Sequence, residues 1–308
     1  MSNNTKNEIL AIIITYNRLE LLKECIKALF HSTVLCDILV VNNASTDGTK
    51  EYLDKLTNNF GIKIYVYNMD ANLGGAGGYN FGIKKGVELS YKYLWLLDDD
   101  AMVTKNALEE LLKVDKELKG EYGFLSSKVV WTDGNICKTN VQRKAVARKI
   151  KDFNSHIVEC DFCSFVSCFV KAEMVRLVGL PIKEFVIWTD DLEWTRRFTF
   201  KKINDFAKPG YLCNDSRVFH YCKENIGVAI YKDSADRIDR YKYIYRNDVV
   251  CFRREGIKGH LYMFIRNLLH TLRVILYKKD EKINAIKVIW SGWFEGYKFF
   301  PVMEKLNQ

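Results

Sequence analysis

Proline is scarce in this chain, with only 3 in 308 residues, and no Pro/Gly/Ser-rich stretch interrupts it, so no linker is predicted. No run of about 18 apolar residues occurs, which leaves no segment for a membrane-spanning helix. Residues Met1 to Glu8 are polar and lack the apolar core of a secretory signal, so a cytoplasmic location is expected. The 9 cysteines are odd in number and scattered. Cys160, Cys163 and Cys168 come closest to a cluster, but no Cys/His pair at zinc-binding spacing completes them. Reduced, mostly buried thiols are therefore expected. No glycine loop carries the lysine of a P-loop, which argues against a nucleoside triphosphatase. Internal repeats and low-complexity segments are also lacking.

What is present is 48% hydrophobic and 28% charged, the balance of a globular chain long enough to bury a core. The net charge is +9, and residues 223–308 hold 17 Lys and Arg against 10 Asp and Glu. That basic excess suits anionic or phosphorylated partners without choosing among them.

Residues 9–118 alternate between short β-rich apolar runs and amphipathic segments. Strands are predicted at 9–15, 38–41, 62–67 and 93–97. Helices are predicted at 19–30, 49–56, 79–90 and 107–118, with a glycine-rich turn over 72–78. Such alternation implies βαβ units and a mainly parallel sheet covered by helices on both faces. Ligands of such sheets bind beyond the carboxyl ends of the strands. Every chemically unusual segment follows a predicted strand end: Thr15–Arg18, Asn42–Asp47, Asn72–Gly78 and Asp98–Asp100. Beyond 120 the rhythm is less regular, with strands predicted at 124–130 and 162–170 and a helix at 172–178. From about 237 the pattern is helical and aromatic, with helices over 259–277 and 283–300.

Three adjacent carboxylates after an apolar strand cannot form core, because like charges repel and unpaired burial is costly. A hard dication removes that conflict through oxygen ligands. In an extended segment Asp98 and Asp100 share a side, fitting them to hold Mn²⁺ or Mg²⁺ or the sugar ribose, while Asp99 faces away. Asp47 reads more simply as a turn residue or helix cap.

The ordered motifs at 13–18, 40–49, 72–78 and 96–100 resemble the nucleotide-sugar half of family 2 glycosyltransferases, which have the GT-A fold: a Rossmann-like α/β sheet, mainly parallel. The resemblance extends over roughly residues 9–220. It implies that Thr15, Tyr16, Arg18, Asn43, Asn72, Gly74, Gly75, Gly77, Gly78, Asp98 and Asp99 surround the nucleotide sugar. Asn43 departs from the aspartate often found there against the base. The glycines would allow close backbone approach to the diphosphate. The metal ligands implied are Asp98, Asp100 and His220, the last from the ArgValPheHisTyr segment.

The segment at 185–197 resembles the family's acceptor-side motif. It makes Asp191 the general base that removes a proton from the acceptor hydroxyl, with Asp190 beside it. Glu193, Trp188 and Trp194 are the residues expected at the acceptor, the tryptophans by stacking on sugar faces. In-line attack by that hydroxyl would invert the anomeric centre. The expected organisation is a catalytic domain over 1–225, with a nucleotide-sugar half (9–118) and an acceptor half (119–225). A helical, basic and aromatic extension follows over 226–308.

The glycine segment together with TrpThrAspAsp resembles the galactofuranosyltransferase and rhamnosyltransferase branch, as does the stretch at 241–247. The donor this implies is UDP-galactofuranose, with dTDP-rhamnose as the alternative. The acceptor implied is a glycan or lipid-linked glycan of bacterial surface polysaccharide. The C-terminal helices suit peripheral contact with the inner membrane face, packing on the catalytic domain, or a homo-oligomer. A nucleic-acid-binding protein would need a basic groove with interleaved stacking residues, whereas these strand ends are acidic and glycine-rich. A non-catalytic glycan-binding module would not need Asp98, Asp100 and Asp191.

Overall fold

An unbroken apolar strand has two faces to bury, and β1 (Ile9–Thr15) is buried at every residue. The computed structural model of the chain describes residues 7–56, 61–201 and 205–306. Most of the polar stretch before β1 (residues 1–6) lies outside the described residues. The elements that follow are α1 (Leu19–Phe30), β2 (Asp37–Asn42), α2 (Thr49–Asp54), β3 (Ile64–Asn68), α3 (Gly74–Glu88), β4 (Tyr93–Asp98), β5 (Ala101–Val103) and α4 (Ala107–Glu117). Next come β6 (Leu125–Trp131), β7 (Arg143–Ala145), β8 (Arg148–Lys149), β9 (Ile157–Cys160), β10 (Cys168–Lys171), α5 (Ala172–Val178), α6 (Asp190–Thr199) and β11 (Gly210–His220). Three helices close the chain: α7 (Tyr241–Phe252), α8 (Ile257–Tyr277) and α9 (Lys282–Lys298).

The main sheet runs β3-β2-β1-β4-β10-β6-β11-β5, with β9 paired to β11. The first four of these strands are mutually parallel; β10 runs antiparallel to both β4 and β6, and β6 is parallel to β11. This is a mixed, mainly parallel α/β sheet flanked by helices. Side chains of β1 alternate between its faces. Ile9, Ala11 and Ile13 pack with Leu22 and Ile26 of α1 and with α4, whereas Leu10, Ile12 and Ile14 pack with Ile83 and Val87 of α3.

Two predicted elements take a different form. The glycine-rich segment is not a free turn, because α3 begins at Gly74. Gly78, Gly82 and Gly86 recur every fourth residue on the face toward the sheet. A Cβ there would meet Ile14, Ile12 and Leu94 at 2.4, 2.7 and 2.7 Å, so these glycines let the helix backbone lie against the strands. The strand predicted over 162–170 is interrupted: a 3-10 turn occupies Phe165–Ser167, and pairing begins only at Cys168.

The C-terminal helices surround an apolar cluster of their own, including Ile238, Tyr241, Tyr245, Val274 and Ile289. The far side of α7 packs onto the rest of the molecule. Val249 and Phe252 meet Phe162, while Val250 joins Ala76, Ile182 and Phe185.

Candidate active site

The parallel strands deliver Thr15, Asn42 and Asp98 to one edge of the sheet, where Thr15 pairs in register with Asn42 and Ile14 with Asp98. The three aspartates diverge in their contacts. Asp98 accepts from the Tyr79 hydroxyl at 2.6 Å. Asp99 is 4% exposed and accepts from Thr15 Oγ1 at 2.8 Å and Arg18 at 3.2 Å. Asp100 accepts from Arg18 at 2.7 Å, and its other oxygen lies 3.1 Å from His220 Nε2. Asp98, Asp100 and His220 each place a ligand atom within 4.8 Å of the other two. His220 comes from the end of β11, which pairs with β5 immediately after the triplet, His220 opposite Ala101.

This trio fits a divalent cation. Asp100 Oδ1 is buried and faces only His220 Nε2. His220 Nδ1 lies 2.8 Å from Asn140 Oδ1, an acceptor. The hydrogen-bond network therefore assigns the proton to Nδ1 and the lone pair to Nε2, the side facing Asp100. Without a cation, burial opposes charge on the ring, but hydrogen bonds to Asp100, Cys137 and Cys222 outweigh it and push the His220 pKa up to about 12. Burial and the neighbouring Asp100 raise the Asp98 carboxyl above its ordinary range. Both tendencies describe a site short of positive charge.

The second acidic pair stands within electrostatic reach of the first. Asp190 and Asp191 open α6, and the charge of Asp98 helps to raise both. Burial is the larger cause in each case. Asp190 is also lifted by Asp191 and goes well above the carboxylate range. Asp191 is pushed up to about 7, restrained by the hydrogen bond from Leu192 N and by the charge of Arg143. Both neighbouring carboxyls are thus raised, Asp190 the further of the two.

The chain reaches α6 through a strained turn. Val186, Trp188 and Thr189 have φ of 66°, 66° and 68°. Left-handed conformations at bulky residues persist only where surrounding contacts enforce them. Here α7 supplies those contacts. Asn247 donates to the carbonyls of Phe185, Ile187 and Trp188 at 3.0, 3.1 and 3.0 Å, and Arg246 to that of Glu184 at 2.7 Å. From the other side, Ala76 N donates to Val186 O at 3.1 Å. Gly74, with φ of 73°, lies so close that a Cβ would sit 2.2 Å from that same oxygen.

Several residues expected at the ligand are committed elsewhere. Trp194 is fully buried, donates to Gly179 O at 2.8 Å and packs on Phe165 and Phe198, so no sugar can stack on it. Glu193 is 1% exposed, and its carboxylate is held by Arg197 and Arg254. The helical period explains both: Asp191 stays partly exposed at the start of α6, while Glu193 and Trp194 turn into the core. Trp188 is half-buried and packs on Tyr241, 5.1 Å between ring centres. Asp99 accepts from both Thr15 and Arg18 instead of presenting a free carboxylate.

Of the four named glycines, Gly74, Gly77 and Gly78 face protein atoms, and only Gly75 faces open space. Asn72 is exposed and accepts from Gly74 N at 2.8 Å, and Tyr16 is 45% exposed. Asn43 is buried; it donates to Gly74 O at 3.0 Å, and its own oxygen lacks a donor. Asp47 accepts from Leu19 N and from Thr49 N and Oγ1, serving as the turn and cap residue its sequence context indicates.

Sequence spacing did not mark Tyr79, Arg143 or the Asn247–Asp248 pair. Tyr79 was legible only as the residue after the glycine segment, and Asn247 as the end of the 241–247 stretch. Sequence spacing also offered no cysteine metal set, yet the fold brings Cys137 and Cys222 to His220. The His-x-Cys step at 220–222 was the available sign.

Residues 10–130 match the family model described as Glycosyl transferase family 2. The minor teichoic acid biosynthesis protein GgaB of Bacillus subtilis (strain 168) is 25% identical over 186 residues, covering 57% of this chain and 19% of GgaB. The glycosyltransferase AglE of Haloferax volcanii is 26% identical over 217 residues, covering 68% of this chain and 67% of AglE. This chain therefore spans only a small part of GgaB and about two thirds of AglE. Among solved structures, the mannosyltransferase PcManGT of Pyrobaculum calidifontis, in complex with GDP-Man and Mn²⁺, superposes with a TM-score of 0.56 at 14% identity, covering 97% of this chain and 78% of that one. Residues 10–130 thus resemble glycosyl transferase family 2, and the chain as a whole shares the fold of that solved transferase.

Proposed function

We propose that this protein is a metal-dependent, inverting glycosyltransferase that moves a sugar from a nucleotide diphosphate to an acceptor hydroxyl in the synthesis of a cell-surface polymer. The observation that supports this reading is the electrostatic proximity of two acidic centres. The cation-fitting trio Asp98, Asp100 and His220 stands close enough for Asp98 to raise the carboxyls of Asp190 and Asp191. Asp191, with a pKa near neutrality, takes the acceptor hydroxyl proton as the oxygen bonds to the anomeric carbon. The bond from that carbon to the diphosphate oxygen breaks on the opposite face, inverting the centre. A dication held by Asp98, Asp100 and His220 would stabilise the negative charge left on the diphosphate. Asp99, Thr15 and Arg18 hold the triplet in place, and the free oxygen of buried Asn43 is an acceptor suited to an N–H of the base.

UDP-galactofuranose is the donor this reading favours, from the sequence resemblance of the 72–79 and 188–191 motifs, with dTDP-rhamnose second. The teichoic acid role of GgaB supports a surface-polymer acceptor. No described helix is long and apolar enough to cross a membrane. However, α8 exposes Leu261, Ile265, Leu268, Leu272 and Ile275 along one face, opposite its buried Met263, Asn267 and Val274. With the basic excess of the C-terminal region, that face suits an anionic bilayer carrying a lipid-linked acceptor.

The test is a donor screen with Mn²⁺ or Mg²⁺, measuring nucleotide diphosphate release with and without candidate acceptors. Acceptor-dependent release is expected. Release that never depends on an acceptor would make the protein a nucleotide-sugar hydrolase, and no release from any donor would defeat the proposal.

A further inference from the structure

The ring nitrogen of His220 that faces away from Asp100 looks onto sulfur. Cys137 Sγ lies 3.6 Å from His220 Nδ1 and 4.0 Å from Cys222 Sγ, and the three residues place ligand atoms within 4.8 Å of one another. Asn140 Oδ1 adds a fourth donor atom, 2.8 Å from His220 Nδ1 and 3.1 Å from Cys137 Sγ. Tetrahedral zinc, with bonds of about 2.3 Å to sulfur and about 2.0 Å to nitrogen, requires S···S near ~3.8 Å and S···N near ~3.5 Å. The S···S edge of 4.0 Å and the S···N edge of 3.6 Å are close to that cage, and the two shorter Asn140 edges are hydrogen-bond contacts that open when the cation enters. A disulfide would need the two sulfurs to close to about 2.05 Å and would make no use of the imidazole or the amide.

The cage is built on fixed backbone. Cys137 N donates to Val129 O at 3.0 Å. Asn225 accepts from Lys138 N at 2.8 Å and donates to Ile136 O at 3.1 Å. Trp131 Nε1 donates to Cys222 O at 2.8 Å. His220 is the last residue of β11, and Cys222 follows it by two residues. Cys137 is buried and Cys222 half-buried, and an open pocket lined by Trp131, Ile136, Glu224 and Asn225 borders the same loops.

We propose that Cys137, Cys222 and His220 Nδ1, completed by Asn140 Oδ1, form a binding site for a thiophilic divalent cation of the Zn²⁺ class. Sulfur ligands distinguish it from the oxygen-rich side at Asp98 and Asp100. On binding, both thiols release their protons to solvent and each sulfur forms a bond to the cation, with no change of oxidation state. A neutral imidazole has one lone pair in the ring plane. Ligation at Nδ1 therefore moves the ring proton to Nε2, toward Asp100, and withdraws His220 from the cation at the carboxylates. The sulfur site stands on its own geometry; only this coupling rests on the proposed transferase reading.

The test is titration of the reduced, metal-stripped full chain with Co²⁺, followed by absorption. One equivalent is expected to give a thiolate-to-cobalt charge-transfer band with the strong visible bands of a tetrahedral ion, and one equivalent of Zn²⁺ is expected to erase both. Cys222→Ser should lose the charge-transfer band while melting as the wild type does. Cys137→Ser should also lose it, and circular dichroism establishes that this buried position still folds. Absence of the band from the wild type, or its survival in Cys222→Ser, overturns the site. The measurement involves no donor or acceptor, so its failure leaves the glycosyl-transfer assay as a separate outcome.

Discussion

Thr189 Oγ1 donates to Asp248 Oδ1 at 2.6 Å, tying the residue before the acidic pair to helix α7. Asp248 is 2% exposed and is also paired with Arg266 of α8. The turn at 186–189 holds three left-handed, non-glycine residues, each costing of order 1–3 kcal/mol. The C-terminal helices therefore do more than cover an apolar face: they hold the backbone that aims Asp190 and Asp191.

Loosening that hold separates positioning from donor binding. Asn247→Ala leaves three loop carbonyls without their shared donor. The expected result is a fall in kcat of tenfold or more, with the donor KM changed less than threefold. Steady-state kinetics with the donor varied at saturating acceptor reads this split. An unchanged kcat would mean that the turn holds its shape without α7.

Removing the base should leave the donor in place. Asp191→Asn is expected to cut transfer at least a hundredfold, the scale of general-base catalysis at about 10²–10⁴, while isothermal titration with a non-hydrolysable donor stays unchanged. Because Asp191 is raised to about 7, its active, ionised form is lost as pH falls through that region. The wild-type rate should therefore drop up to tenfold per pH unit on the acid side and level off on the basic side. A cation beside Asp98 offsets part of the negative charge that raises Asp191, which moves the acid limb below 7. A flat profile between pH 5 and 8, roughly the range over which such a carboxyl would titrate, is incompatible with this role.

The cation site has its own signature. Asp100→Ala removes an oxygen ligand beside His220 and leaves Arg18 bound only to Asp99. Mn²⁺ affinity, read by paramagnetic resonance of the free ion, should weaken at least tenfold. Equal titration curves for wild type and variant would remove Asp100 from the ligand set.

Two residues next to Asp191 are expected to serve stability instead. Trp194→Ala opens a cavity in the core and should cost about 3–5 kcal/mol. Glu193→Ala leaves Arg197 buried, 3% exposed, without its carboxylate, and is expected to cost about 3–5 kcal/mol as well. Chemical denaturation measures both. An acceptor KM that rises in either variant at unchanged stability would restore the acceptor role.

The exposed stripe of α8 can be tested without chemistry. The wild type is expected to float with vesicles containing anionic lipid and to be released by salt, while Leu268→Glu with Leu272→Glu stays in solution. If instead the wild type is a dimer and this double variant a monomer, the face covers a second copy and not a bilayer.

Much of this molecule could be read from local pattern. Residues 9–15 have no polar face, so a central strand was their only stable use. Asp98, Asp99 and Asp100 could not all be buried without positive charge, so a cation partner was expected from electrostatics, whereas the Arg18 contact was not. The acidic segment at 190–191 stood out only through its resemblance to the family's acceptor-side motif. Other features depend on which residues the fold brings together. Glu193 and Trp194 carry the same chemical promise as Asp191, and only the rotation of α6 turns them into the core. Glycines 74 to 78 promised a loop, yet four of the helix's glycines serve contacts with Val186, Ile14, Ile12 and Leu94, which no local pattern reveals. Cys137 and Cys222, 85 residues apart, meet only because β11 ends beside the loop after β6. Sequence determines what each segment can bury and which charges need partners. Tertiary structure decides which distant partners arrive, because a contact made across the sheet leaves no period or spacing in the chain.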